Sequence, residues 1–109
     1  MPLTELDESA LLDGDSAGRG TEAVLFYTPF CGTCKAAERM LDVAAAAGVP
    51  VKLYKMNVAF APRLREAWRI ASVPCLAVLR DGRPVRFEYA MRSVVHLYAV
   101  LKEAGTGPT

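Results

Sequence analysis

Cysteine is scarce and odd in number in this chain of 109 residues: Cys31, Cys34 and Cys75. So sparse a set excludes a small domain stapled by disulfides, and leaves the cysteines as ordinary buried thiols or as reagents. An excess of charge of one sign is also missing. The 13 Lys+Arg stand against 12 Asp+Glu, for a net charge of +1, which gives no case for nucleic acid or an acidic membrane as the main partner. No apolar run approaches the roughly 20 residues of a membrane span. The start, Met1-Pro2-Leu3-Thr4-Glu5-Leu6-Asp7-Glu8, is acidic where a secretory signal is basic and then apolar. These absences lead us to expect a cytoplasmic protein in an environment that keeps thiols reduced.

What is present is a core. Hydrophobic residues make up 52% of the chain and charged residues 23%, which excludes a disordered chain. The length suits one domain over residues 1–109. Charge is unevenly spread along it. Residues 1–20 carry five acids (Glu5, Asp7, Glu8, Asp13, Asp15) against Arg19, and residues 21–109 carry seven acids against twelve bases. This reads as solvated faces, the alternative being a mildly basic body that attracts an acidic partner protein.

The spacing at Thr4-Glu5-Leu6-Asp7 predicts a helix over about 5–12, followed by a Gly/Asp/Ser-rich loop over 13–21. Ala23-Val24-Leu25-Phe26-Tyr27 is a continuous apolar run, the pattern of a strand buried on both faces. A helix is expected from Lys35 to Ala47, stopped by Gly48. Cys34, Ala37, Leu41 and Ala44 line its inner face, and Lys35, Glu38, Arg39 and Asp42 lie largely off it. Residues 51–57 form the next strand, parallel to the first because a helix connects them. Pro62 opens a third helix with Leu64, Ala67, Trp68 and Ala71 at core spacing. A strand over 75–79, a turn at Asp81-Gly82 and an alternating strand with Val85, Phe87 and Tyr89 inward follow. Ser93 caps a last helix with Val94, Leu97, Tyr98 and Leu101 inside, and residues 105–109 fray. The order implies an α/β domain with a central mixed sheet (βαβ plus ββα) flanked by helices.

Cys31 and Cys34 fall where the first long strand has ended and a helix begins, near unpaired N–H groups and the positive end of the helix dipole. A thiolate is favoured at Cys31, whereas Cys34 shares the inner stripe of the helix and should be buried. One exposed and one shielded thiol, neighbours at i, i+3, suit disulfide exchange. Cys31 attacks a disulfide, and Cys34 then attacks Cys31 and releases the reduced product. Rival readings use the same cysteines otherwise. With Cys75 they could form a redox-sensing, metal-binding or cluster-binding module, or the chain could be an adaptor for a single partner. Zinc prefers four ligands, and the chain offers three Cys and His96, which reads as a surface or edge histidine. Cys75 reads as a buried inert thiol or as a third thiol within reach of the pair.

The stretch Phe26–Lys35, FYTPFCGTCK, resembles the active-site segment of the thioredoxin family. The resemblance extends in register over about residues 20–104, through Lys55 and Asn57, Val73-Pro74 and the Asp81-Gly82 turn. It is nearest to a bacterial thioredoxin-like subgroup with Cys-Gly-Thr-Cys and Ser-Val-Pro-Cys-Leu. It implies a thioredoxin fold and reduction of disulfide-containing client proteins, with no cofactor. Electrons would come from a thioredoxin-reductase-like enzyme or a low-molecular-weight thiol. It implies catalytic Cys31 and Cys34, with Gly32, Thr33, Lys35, Lys55 and Pro74 in support. Pro74 would be a cis-proline packed beside the cysteines, and the backbone of Val73 would pair with the substrate chain. Phe30, Ala90 and Met91 would form an apolar rim. The chain departs from the family where a buried Asp usually precedes the first Cys by six residues. That position is Leu25, which leaves water or Lys55 to take the proton of Cys34. Phe30 replaces the usual tryptophan, Gly32-Thr33 the usual Gly-Pro, and Ala90 a glycine.

Overall fold

The run Ala23–Phe26 is fully buried, and the chain is built outward from it. The computed structural model describes residues 3–12 and 20–106. A two-residue strand β1 (Thr4–Glu5) is followed by a short helix α1 (Glu8–Leu12). Then come β2 (Thr21–Tyr27), α2 (Gly32–Ala46), β3 (Lys52–Asn57), a 3-10 turn over Val58–Phe60 and α3 (Pro62–Ala67). The chain closes with β4 (Cys75–Arg80), β5 (Arg83–Glu88) and α4 (Val94–Thr106). The five strands form one sheet in the order β1-β3-β2-β4-β5. β3 is parallel to both β1 and β2, whereas β4 is antiparallel to β2 and β5, so the sheet is mixed as the element order implied.

Alternation along β2 sends its side chains into two cores. Ala23 and Leu25 meet Ala37, Leu41 and Ala44 of α2 and Leu97 and Leu101 of α4 on one face. Val24 and Phe26 meet Met56, Val58, Leu64 and Ile70 on the other. Trp68 stands edge-on to Phe26 at 6.1 Å between ring centres, within the range of favourable aromatic pairs.

Several expectations are corrected. The N-terminal helix is shorter than 5–12, because Thr4 and Glu5 are extended and pair with Tyr54 and Lys55 at the edge of β3. The expected loop over 13–21 lies outside the described residues from 13 to 19, and Thr21 already belongs to β2. α2 begins three residues before Lys35, because Cys31 caps it. α3 stops at Ala67, so Ala67 and Ala71 are exposed and do not extend a core stripe. There Arg69 takes a left-handed conformation (φ 54°), and the Ile70 N–H reaches back to the Arg65 carbonyl at 3.0 Å. This wraps up the helix end and turns Ile70 inward. A register shift between Val78 and Leu79 pairs Leu79 with Pro84, which leaves Val85 exposed, and Tyr89 follows the strand. Gly105 does not fray. It lies within α4 against the Pro50 ring, where any Cβ would collide. Residues 107–109 of the expected tail lie outside the described residues.

Other local signals operate as read. Asp81 and Gly82 both have positive φ (52° and 82°), as a tight primed hairpin turn needs. Ser93 accepts the His96 N–H at 3.1 Å and caps α4. α3 has no side-chain cap of its own, and the Glu8 carboxylate from α1 accepts the Leu64 N–H at 2.6 Å instead. Among the described residues, no helix is long and apolar enough to cross a membrane.

Candidate functional site

β2 ends at Tyr27, and Pro29, which lacks an N–H, cannot continue the ladder. The Cys31 N–H closes a turn onto the Thr28 carbonyl at 3.3 Å, and the Lys35 N–H bonds to the Cys31 carbonyl at 3.2 Å to start α2. Cys31 is therefore the helix cap, with extended dihedrals (φ −97°, ψ 108°). Its sulfur does what a capping oxygen does elsewhere, accepting the Cys34 N–H at 3.1 Å. The Thr33 hydroxyl lies 3.3 Å from the same sulfur. Two dipoles and the helix terminus converge on one atom, and each favours negative charge there. Cys31 and Cys34 are paired as a disulfide with Cα atoms 5.2 Å apart. Cys31 is half-buried, Gly32 and Thr33 are exposed, and Cys34 is 2% exposed beneath them. Lys35 projects into solvent.

The Val73-Pro74 peptide is cis. Pro74 shares a shallow pocket of about 350 Å³ with Thr33, Ala36, Met40, Tyr89 and Met91, so helix α2 and the proline loop face one another. Val73 opens on a smaller pocket with Thr28, Val58 and Ile70. Of the three expected rim residues, Phe30 is 98% exposed, Ala90 is exposed, and Met91 is largely drawn into the core under α2 and α4.

Cys75 opens β4 opposite Phe26 and has no exposed surface. Burial pushes its thiol up to about 11, against a smaller opposing effect of a hydrogen bond with Tyr89. Among the described residues, no group of three or more His, Cys, Asp or Glu side chains is placed to hold a metal ion. His96 sits on α4 and pairs with Glu88 of β5 at 3.1 Å.

Lys55 has partners on α2 and β2. Its ammonium is 2.8 Å from Glu38 Oε2, with both side chains 23% exposed, and lies over the Tyr27 ring at 5.4 Å. The hydrogen bond to Glu38 is the main reason that the Lys55 ammonium is held above its usual range. The Tyr27 hydroxyl donates to both oxygens of Glu5, at 2.7 and 2.9 Å. Burial first, and this bond second, hold the phenol well above its usual range. Leu25, in register with Lys55, is fully buried and offers no charge. The helical pattern puts Glu38 largely off the inner face, yet its side chain is only 23% exposed. The available signal was its place four residues after Cys34, which puts the two on adjoining turns.

The thioredoxin family model matches residues 17–103. The chain is 42% identical over 77 residues to the thioredoxin-like protein YusE of Bacillus subtilis, covering 71% of this chain and 73% of that one. It is 31% identical over 71 residues to the thioredoxin of Chlamydia trachomatis, covering 65% and 70%. In fold it is similar to a mutant thioredoxin from Halobacterium salinarum, with a TM-score of 0.81 over 99% of this chain and 94% of the other at 20% identity. The agreement of family model, relatives and fold with a cysteine pair at bonding distance makes this chain a member of the thioredoxin family, and in general terms a thiol–disulfide oxidoreductase.

Proposed function

We propose that the protein reduces the disulfides of client proteins, with Cys31 as nucleophile and Cys34 as resolving thiol. The Cys31 thiolate attacks one sulfur of a client disulfide. A Cys31–client bond forms, the client's own bond breaks, and one client sulfur leaves as a thiolate and takes up a proton. Cys34 loses its proton and attacks the Cys31 sulfur. The Cys31–Cys34 disulfide forms and the second client sulfur leaves. Two electrons have passed from the dithiol to the client, and no cofactor is involved. Regeneration needs two electrons from outside, supplied by a thioredoxin-reductase-like enzyme or by two equivalents of a low-molecular-weight thiol, as in the reducing cytoplasm.

The observation that carries this reading is the unequal treatment of the two sulfurs. The sulfur of Cys31 accepts the Cys34 N–H at 3.1 Å at a helix start, while Cys34 is 2% exposed. In this reading Gly32 and Thr33 leave the approach to Cys31 open, and Lys35 adds positive charge near it. Pro74 and the backbone of Val73 shape the client groove, with Phe30 and Ala90 at its rim and Met91 on the floor it shares with Pro74. Insulin reduction by the wild type and by Cys31→Ser tests it. The expected result is turnover by the wild type and none above background by the variant. Equal rates would exclude Cys31 as the nucleophile.

A further inference from the structure

We propose that Glu38 accepts the proton of Cys34, through water in a pocket that the two residues share, and that Lys55 fixes the carboxylate in place. The proposal rests on the reading of Cys34 as the resolving thiol. That role requires ionisation, because the thiolate is the attacking form. Cys34 is 2% exposed, so its proton cannot pass directly into bulk water. It opens on a pocket of about 250 Å³ lined also by Tyr27, Thr28, Pro29, Lys35, Glu38 and Lys55. That volume has room for several waters.

From β2, the Tyr27 hydroxyl is committed as a donor to Glu5 of β1, and its phenol is held well above its usual range. From β3, Lys55 is an ammonium stabilised as such by Glu38, so it has no lone pair to offer. From α2, Lys35 is a cation, and Asp42, a further turn along, acts on Lys55 through its charge. The Thr28 hydroxyl is not basic. Glu38 is the carboxylate that lines the pocket. The Lys55 bond engages its Oε2 at 2.8 Å, and a carboxylate has two oxygens and about four lone-pair sites, which leaves capacity for a water.

Charge balance permits the transfer. Before it, the pocket holds a thiol, a carboxylate and the ammonium groups of Lys35 and Lys55. After it, the pocket holds a thiolate, a carboxylic acid and the same two ammonium groups, so the net charge is unchanged and no second anion builds up beside the first. The Cys34 thiolate then attacks Cys31, the bond from Cys31 to the client breaks, and the departing client thiolate takes back the proton from Glu38 through water. Glu38 acts through water rather than by touching the reacting sulfur, and Lys55 is a positioning residue.

The test separates the two exchange steps in a stopped-flow reaction of the reduced protein with the chromogenic disulfide dithiobis(nitrobenzoic acid). Attack by Cys31 releases one coloured thiolate and attack by Cys34 releases the second. Each variant is scored by the ratio of its second rate to its first. Glu38→Gln should lower this ratio about a hundredfold near neutral pH, the lower end of what a positioned acid–base group contributes. The deficit should close above roughly pH 9, where hydroxide ionises a thiol unaided. Glu38→Asp, which keeps the carboxylate, should recover most of the ratio. An unchanged ratio in Glu38→Gln, or the same deficit at every pH, would overturn the proposal. Should Glu38→Gln lose its circular-dichroism signature, Glu38→Ala is scored in its place, with the same deficit expected near neutral pH and the same closure above roughly pH 9, and an unchanged ratio there would overturn the proposal. First release that survives in Cys31→Ser would instead overturn the underlying reading of the function.

Discussion

Two regions of this molecule carry sulfur, and they treat it in opposite ways. Past the end of β2 the chain leaves the ladder and turns into α2, so the Cys34 amide at the helix start donates to the Cys31 sulfur. At the start of β4 the chain is already in the sheet between β2 and β5, and Cys75 is packed among apolar side chains beside Phe26. The first setting favours a thiolate, and the second raises the thiol to about 11. The residue type is the same in both, so the difference lies in whether the surrounding backbone has spare donors. Reactivity here belongs to a place in the fold rather than to cysteine as such.

Alkylation of the reduced protein puts the largest strain on this contrast. Near neutral pH iodoacetamide should label Cys31 and leave Cys75 untouched until denaturant is added. A thiol with its pKa near 11 is ionised in only about one molecule in ten thousand at pH 7. Mass mapping that finds Cys75 labelled at the Cys31 rate would break the comparison. A smaller effect concerns stability. A thiol whose folded-state value is raised from 9.0 to about 11 keeps its proton in the fold while the unfolded chain loses it. Its contribution is therefore present below about pH 9 and is lost as pH rises towards 11. Urea unfolding should show the wild type losing stability across that interval more steeply than Cys75→Ala. At neutral pH, Cys75→Ala should cost about 1 kcal/mol of burial and leave insulin reduction intact. Loss of reduction in that variant would make Cys75 a participant. The smallest expected effect is that of Thr33→Val, which removes the hydroxyl 3.3 Å from the Cys31 sulfur. Alkylation of Cys31 should slow about threefold, in keeping with the modest net worth of one hydrogen bond.

The sequence shows most clearly what repeats or what needs a special residue. The inner stripe Cys34, Ala37, Leu41 and Ala44 is fully or nearly fully buried, since a helix of 15 residues gives the 3.6-residue period room to show. Cys31 and Cys34 can be read as a pair because cysteine carries chemistry in its identity, whereas a place for Pro74 near them comes only with the family resemblance. Short or non-local features were not legible. β1 has two residues, too few for any period, and is set by its pairing with β3. The end of α3 depends on Arg69 adopting a conformation that its sequence does not announce. Gly105 reads as part of a frayed end because its contact with Pro50 lies 55 positions back along the chain. The partnership of Lys55 with Glu38 crosses from strand to helix. With Leu25 apolar at the neighbouring register position, only the fold brings a carboxylate to that lysine.

β5 has a consequence for the company the molecule keeps. It is the outermost strand on its side of the sheet, and an unpaired outer strand invites other chains to extend it. This one carries Pro84, which cannot donate to any neighbour, a register slip beside it, and the charged side chains Arg83, Arg86 and Glu88. Under the proposed function the protein meets partly unfolded, strand-prone polypeptides. With this border blunted, such chains gain little by adding a sixth strand, and the protein is guarded against being drawn into their aggregates.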